Sequence, residues 1–226
     1  MKTTFGGFRI SPYPEVKESG KGGIMKNATV IAVCNYKGGT AKTTSALYLA
    51  AVWQAQGRRV LIVDADQQES SAYFDSEARP PVDVRYLHAP RLGATVRQRW
   101  GHRYDIIIID SPPSEGRHSV ITGAMAAADY VLIPVGATQL ELEQLPKTVH
   151  AAIAAGKPHG VVLNREPVNS TRVKEAAELI GGAGYNLLRP AIPRRAAIQD
   201  AYRAGVDHRT FGYDLIAQQI IEQIGA

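Results

Sequence analysis

Thr29-Val-Ile-Ala-Val-Cys-Asn-Tyr-Lys-Gly-Gly-Thr-Ala-Lys-Thr-Thr-Ser45 is an apolar run that breaks at two glycines and continues in a helical pattern. Val30 to Val33 suit a strand buried on both faces, Gly38 and Gly39 permit a tight turn, and the chain from Thr43 reads as helix. A strand, a glycine turn and a helix in this order form a phosphate-binding loop. Backbone N–H groups of the first helical turn and the positive end of the helix dipole attract a polyphosphate. Lys42 is placed to reach the β and γ phosphates, and the Thr43 hydroxyl to hold Mg²⁺. A plain turn between a core strand and a core helix would need neither the lysine nor the hydroxyl.

The remaining strands carry acids at their ends. Arg59-Val-Leu-Ile-Val-Asp-Ala-Asp66 is a short apolar run ending in two carboxylates, and Tyr104-Asp-Ile-Ile-Ile-Ile-Asp-Ser-Pro-Pro113 is a second, ending in Asp110. Between the loop and Asp64, Thr44 to Gln56 has helical spacing and Gly57 supplies a stop. This order implies a right-handed parallel crossover, with ligands bound beyond the carboxyl ends of the strands. Further strands are predicted at 130–135 and 160–164, with a short one at 185–188. Helices are predicted at about 141–155, 171–180, 196–204 and 213–224. The expected fold class is α/β, a mostly parallel twisted sheet flanked by helices.

The strict pattern G-x-x-x-x-G-K-[ST] fails, because Tyr36 and Ala41 stand where both glycines belong. The stretch instead resembles the deviant Walker A loop, K-G-G-x-G-K-[ST]-T, of the ParA/MinD family of P-loop ATPases, the SIMIBI type of P-loop NTPase fold. Lys37 matches the extra lysine of that family. The resemblance covers about residues 26 to 212 and is closest to a compact plasmid-partition ParA. It implies that Lys37 crosses the interface of an ATP-bound homodimer to reach the partner's nucleotide. ATP would be cradled by Lys37, Gly38, Gly39, Thr40, Ala41, Lys42, Thr43 and Thr44.

Carried over residue by residue, Asp66 is the carboxylate that orients the attacking water, and Asp64, Asp110 and Thr43 order Mg²⁺. Gln68 matches a family glutamine, while Gln67 and Glu69 depart from the usual proline and glycine. Asp110-Ser-Pro-Pro-Ser114 resembles the D-x-P-P-S switch segment. Asn164 matches the position that reads the adenine edge, and a simple turn asparagine is its other reading. Ile192 and Pro193 match a segment that flanks the base. Ala41 raises a separate question, since its position calls for glycine's backbone angles. A strained loop would affect hydrolysis more than ligand identity.

With 226 residues and 45% hydrophobic content, the chain can bury one full core. Residues 1–25 hold five glycines and two prolines with no periodic apolar face, and are expected to be a flexible extension preceding one ATPase domain at 26–226. The sequence has no secretory pattern and no membrane-length apolar run, which points to a cytoplasmic protein. The single cysteine, Cys34, lies within the first strand, where it excludes a shared iron–sulfur cluster of the nitrogenase-iron-protein kind.

Net charge is +5, and Val84 to Arg103 alone carries Arg85, Arg91, Arg97, Arg99 and Arg103 without an acid. This segment reads either as a non-specific DNA contact or as a solvated helical face. Arg189, Arg194 and Arg195 form a second patch, in the region where ParA proteins bind DNA as ATP dimers. The terminal helix lacks any Lys or Arg from Tyr213 to Ala226, unlike the basic membrane-targeting helix of MinD.

The resemblance therefore implies an ATP-dependent dimer that binds nucleoid DNA without sequence preference. A centromere-binding, ParB-like adaptor would stimulate hydrolysis and partition. A positioner of protein cargo and a weakly hydrolysing nucleotide-binding scaffold are the alternatives.

Overall fold

The computed structural model describes residues 27–66, 82–87, 92–113, 118–167, 170–199, 206 and 209–225. The predicted extension at 1–25, the Gln67–Glu69 segment and Ser114 lie outside them. Among the described residues seven strands form one sheet: β1 (Thr29–Val33), β2 (Val60–Asp64), β3 (Asp83–Tyr86), β4 (Ile106–Asp110), β5 (Tyr130–Val135), β6 (His159–Leu163) and β7 (Leu187–Leu188). Their order is β3-β2-β4-β1-β5-β6-β7, and every pairing is parallel. Parallel sheets need both faces covered, which is why β2, β4 and β5 are buried at every position.

Alternation along β1 assigns the two faces. Ile31 and Val33 pack against α1 (Lys42–Ala55), α6 (Ala196–Gln199) and α7 (Tyr213–Ile224). Val30 and Ala32 face α2 (Leu92–Trp100), α3 (His118–Ala127), α4 (Gln139–Ala154) and α5 (Thr171–Gly182). Helix α1 is buried nearly all round, from Ala46 through Trp53, as suits a helix held between the sheet and α7. Its partner α7 runs over the span expected from sequence, and Tyr213 stacks on Tyr48 with ring centroids 5.0 Å apart.

Two elements escaped the sequence reading. The edge strand β3 has four residues, two of them charged, and no apolar alternation. Helix α3 carries small residues between the Pro-Pro turn and β5. The arginine-rich segment is divided between β3 and α2. Arg97 donates to Asp129 Oδ1 at 2.6 Å and to the Ala127 carbonyl, while Asp129 Oδ2 accepts from the Val30 N–H. Arg97 is thereby fastened into the fold, while Arg99 and Arg103 are exposed and Arg91 lies outside the described residues. No helix of the described residues is long and apolar enough to cross a membrane.

The sheet positions the site through its register. Val33 pairs with Asp110, and Asp110 with Asp64, so the carboxyl ends of β1, β4 and β2 are side by side. The chain after β1 crosses over to β2 on one side, whereas β5 lies on the other, which makes the β1 end a topological switch point.

Candidate nucleotide site

The segment between β1 and α1 folds back over the switch point, braced by Asn35. That side chain is 2% exposed, donates Nδ2 to the Pro134 carbonyl at 2.9 Å and accepts the Lys37 N–H at 2.9 Å. Tyr36, one of the two departures from glycine, is not among the residues with positive φ, so no glycine is needed there. Its ring fills the space between α3 and α4, 5.1 Å from the His118 ring and with Lys147 Nζ 4.8 Å from its centroid. Ala41 is the other departure. It has φ 68° and ψ 33°, the left-handed region that glycine occupies without penalty, and it is the residue before the first turn of α1. For alanine this conformation costs about 1–2 kcal/mol.

Beyond the loop lies a cleft of about 400 Å³ lined by Gly38 to Thr44, Asp64, Asp66, Asp110, Ser111, Pro113 and Arg165. Lys42, 7% exposed, donates Nζ to the Lys37 carbonyl at 3.1 Å, which holds the ammonium across the mouth of the loop. Thr43 Oγ1 donates to Asp110 Oδ2 at 2.7 Å. Asp64 Oδ1 accepts the Asp66 N–H at 2.8 Å, so the first carboxylate of the pair fixes the backbone that carries the second. All three carboxylates are buried.

Burying three carboxylates beside one ammonium is costly unless cations complete the site. A hydroxyl, adjacent carboxylates and a glycine-rich turn are the donor set that Mg²⁺ shares with a polyphosphate, because Mg²⁺ keeps several waters and takes few protein ligands. The residues therefore fit a Mg-polyphosphate. Cys34, at the base of the loop, takes no part: burial pushes its thiol from 9.0 up to about 12.

The model of the CobQ/CobB/MinD/ParA nucleotide binding domain matches residues 31–207, which contain the whole of this cleft. The chain belongs to that family. Among relatives of this ParA/MinD-type chain is a maintenance of carboxysome distribution protein A from Gloeobacter kilaueensis. It is 35% identical over 178 residues, spanning 77% of this chain and 78% of the relative. A chromosome-partitioning ATPase Soj from Thermus thermophilus is 35% identical over 143 residues, 50% of this chain and 57% of the relative. The septum site-determining protein MinD from Pyrococcus horikoshii, solved in complex with Mg-ADP, superimposes with a TM-score of 0.65 over 88% of this chain and 98% of that one. At 20% identity it shows the shared P-loop NTPase fold.

Other residues with predicted roles stand elsewhere. Lys37 is half-buried and does not line its own chain's cleft. Asn164 was expected at the adenine edge, yet it is 1% exposed and does not line the cleft either. Its Nδ2 donates to Ser45 Oγ at 3.3 Å, its Oδ1 accepts from Tyr213 OH at 3.2 Å, and Ser45 Oγ and Tyr213 OH are 3.1 Å apart. This closed ring ties β6, α1 and α7 together, and burial raises the Tyr213 pKa well above the usual phenol value.

Ile192, expected to flank the base, is a fully buried core residue beside Ile198 and Ile216. Pro193 lines a separate cleft of about 540 Å³ with Lys174 and Arg189. The placement of Ile192 has a backbone cause. The 192–194 segment runs alongside 164–166, with the Ile192 N–H on Leu163 O at 2.7 Å and the Arg194 N–H on Glu166 O at 2.8 Å, which turns Ile192 inward. Arg189, Arg194 and Arg195 are exposed on that side, and the Gln219 amide grips the Arg189 backbone at both N–H and carbonyl.

Sequence reasoning missed two residues at this edge. Asn35 gives no signal beyond preceding the loop, and Arg165 follows Asn164 directly but meets its acid partner, Glu141, only through the fold.

Proposed function

We propose that this protein is a ParA-type ATPase that binds Mg-ATP in the cleft at the ends of β1, β2 and β4 and uses it to switch a homodimer. The observation that carries the reading is the Lys42, Thr43, Asp110 and Asp64–Asp66 constellation around one glycine turn. In this reading Gly38 to Thr44 hold the phosphates, Thr43 and Asp110 hold Mg²⁺ with support from Asp64, and Asp66 orients water. Bound Mg²⁺ supplies charge neutralisation at the phosphates, and positioning does most of the rest. Lys37, half-buried beside a cleft that it does not line, is assigned to the partner's nucleotide.

The ATP dimer would hold nucleoid DNA without sequence preference through Arg189, Arg194 and Arg195, in the cytoplasm, and move a cargo along it. Plasmid or chromosome partition with a centromere-binding, ParB-like adaptor is the first reading of that cargo. The similarity to a carboxysome distribution protein favours a second, in which the cargo is a protein assembly and the adaptor recognises it. Residues 26–226 act as one ATPase domain in either case.

ATP turnover measured with and without DNA, together with DNA retention in Mg-ATP, Mg-ADP and no nucleotide, tests the switch. Retention confined to Mg-ATP, with turnover lost in Asp66→Ala, is the expected outcome. Equal or absent retention in all three states contradicts DNA-based positioning, and turnover unchanged in Asp66→Ala contradicts its catalytic role.

A further inference from the structure

Lys42 and Arg165 are the cationic side chains among the described residues that line the cleft, and only the first belongs to the loop motif. Arg165 sits directly after Asn164, at the end of β6, with φ 64°. An arginine in the left-handed region carries strain that the surrounding structure must impose, and such strain gathers at ligand clamps. Its guanidinium is held by Glu141, whose Oε1 accepts from Arg165 Nη2 at 2.5 Å.

Glu141 is itself held. Its side chain is 7% exposed, and Oε2 accepts from Thr138 Oγ1 at 2.7 Å, while the Glu141 N–H donates back to the same hydroxyl. The carboxylate also lies against the α-carbon of Gly136, where a Cβ would collide with it. Next to Arg165, Glu166 Oε1 accepts the Ala137 N–H at 2.7 Å and stitches the two loops together. A carboxylate this buried and this constrained cannot follow the arginine outward, so it fixes the direction in which the guanidinium lies.

Guanidinium presents five donors in a planar fork, and the Glu141 contact is made through Nη2. A second edge of the fork is geometrically suited to an anion in the cleft while the first stays paired. The charge balance favours this, since Asp64, Asp66 and Asp110 border the same cleft and a guanidinium adds to Lys42 and bound Mg²⁺ in offsetting them and a polyphosphate.

We propose that Arg165 is a second polyphosphate-contacting residue of this site, aimed by Glu141 as its positioning residue. The proposal rests on the Mg-ATP reading above and adds a contact outside the loop motif. It also links the ligand to the first turn of α4, because Glu141 is both the arginine's partner and hydrogen-bonded to Thr138, the residue that caps that helix.

Calorimetric titration of Mg-ATP into the full chain tests it, with thermal midpoints recorded for every variant. Arg165→Ala should weaken binding roughly tenfold, the scale of one charge-assisted hydrogen bond. Arg165→Lys should recover part of that loss, and the salt dependence of binding should be shallower in Arg165→Ala than in wild type. Glu141→Gln, if it folds, should weaken binding about threefold with Arg165 still present. Arg165→Ala within twofold of wild type, in a chain whose Lys42→Ala variant loses binding, overturns the role of Arg165 alone. Wild type that binds no Mg-ATP overturns the nucleotide reading and this proposal with it.

Discussion

The two halves of this sheet edge are built on opposite principles. At the ends of β1, β2 and β4, polar groups converge on open space: Lys42, Thr43, Asp66 and Asp110 border a cleft. At the end of β6, polar groups converge on one another: Asn164, Ser45 and Tyr213 satisfy their hydrogen bonds internally under α7. The difference teaches that polar side chains along one sheet edge can serve either a cleft or the packing of the helices behind it. Asn164 is where the motif puts it, and its amide is engaged by two neighbours from helices far away in sequence.

Lys42→Ala should break the open half outright. Mg-ATP affinity is expected to fall about a hundredfold, the equivalent of roughly 3 kcal/mol for a charge-assisted contact, with little change in thermal midpoint. Calorimetry checks it, and near-native affinity would mean that the cleft is not a phosphate site.

Tyr213→Phe tests the closed half. Removing the hydroxyl leaves Asn164 Oδ1 and Ser45 Oγ each short of a buried partner, so stability should drop by about 1–2 kcal/mol in denaturant unfolding. An unchanged midpoint would show that the ring is not needed to hold β6, α1 and α7 together.

Ala41→Gly sharpens the contrast from the loop's side. It removes the left-handed strain of Ala41, and a gain of about 1 kcal/mol is expected, reduced somewhat by glycine's freedom in the unfolded chain. A loss of stability would mean that the methyl group has packing worth more than the strain.

At neutral pH the smallest effect concerns Cys34, the buried thiol that directly follows β1. Its pKa is raised from 9.0 to about 12, so the stability it confers is complete below pH 9 and is lost as pH rises towards 12, where the unfolded thiol ionises first. At pH 8 an alkylating reagent should modify it only on unfolding, and prompt modification of native protein would contradict its burial.

Much of the open half was legible in the sequence because its elements are local. Each strand is a continuous apolar run, each acid ends one, and the lysine and hydroxyl lie within seven residues of the turn. The strain at Ala41 was also readable, as a methyl group at a glycine position. The closed half was not legible, because hydrogen bonds between residues 45, 164 and 213 leave no local pattern. Arg165 belongs to the same class, with its partner Glu141 placed by a helix cap 24 residues earlier. Tyr36 looked like damage to the motif, yet its ring packs between α3 and α4 and needs no special backbone angle.

Sedimentation velocity of wild type and Lys37→Ala in Mg-ATP, Mg-ADP and no nucleotide tests the dimer switch. Wild type is expected to be a dimer in Mg-ATP alone and Lys37→Ala a monomer in every state, with Mg-ATP binding by that monomer largely retained. A wild-type monomer in Mg-ATP, or a dimer that persists without Lys37, would contradict the proposed switch.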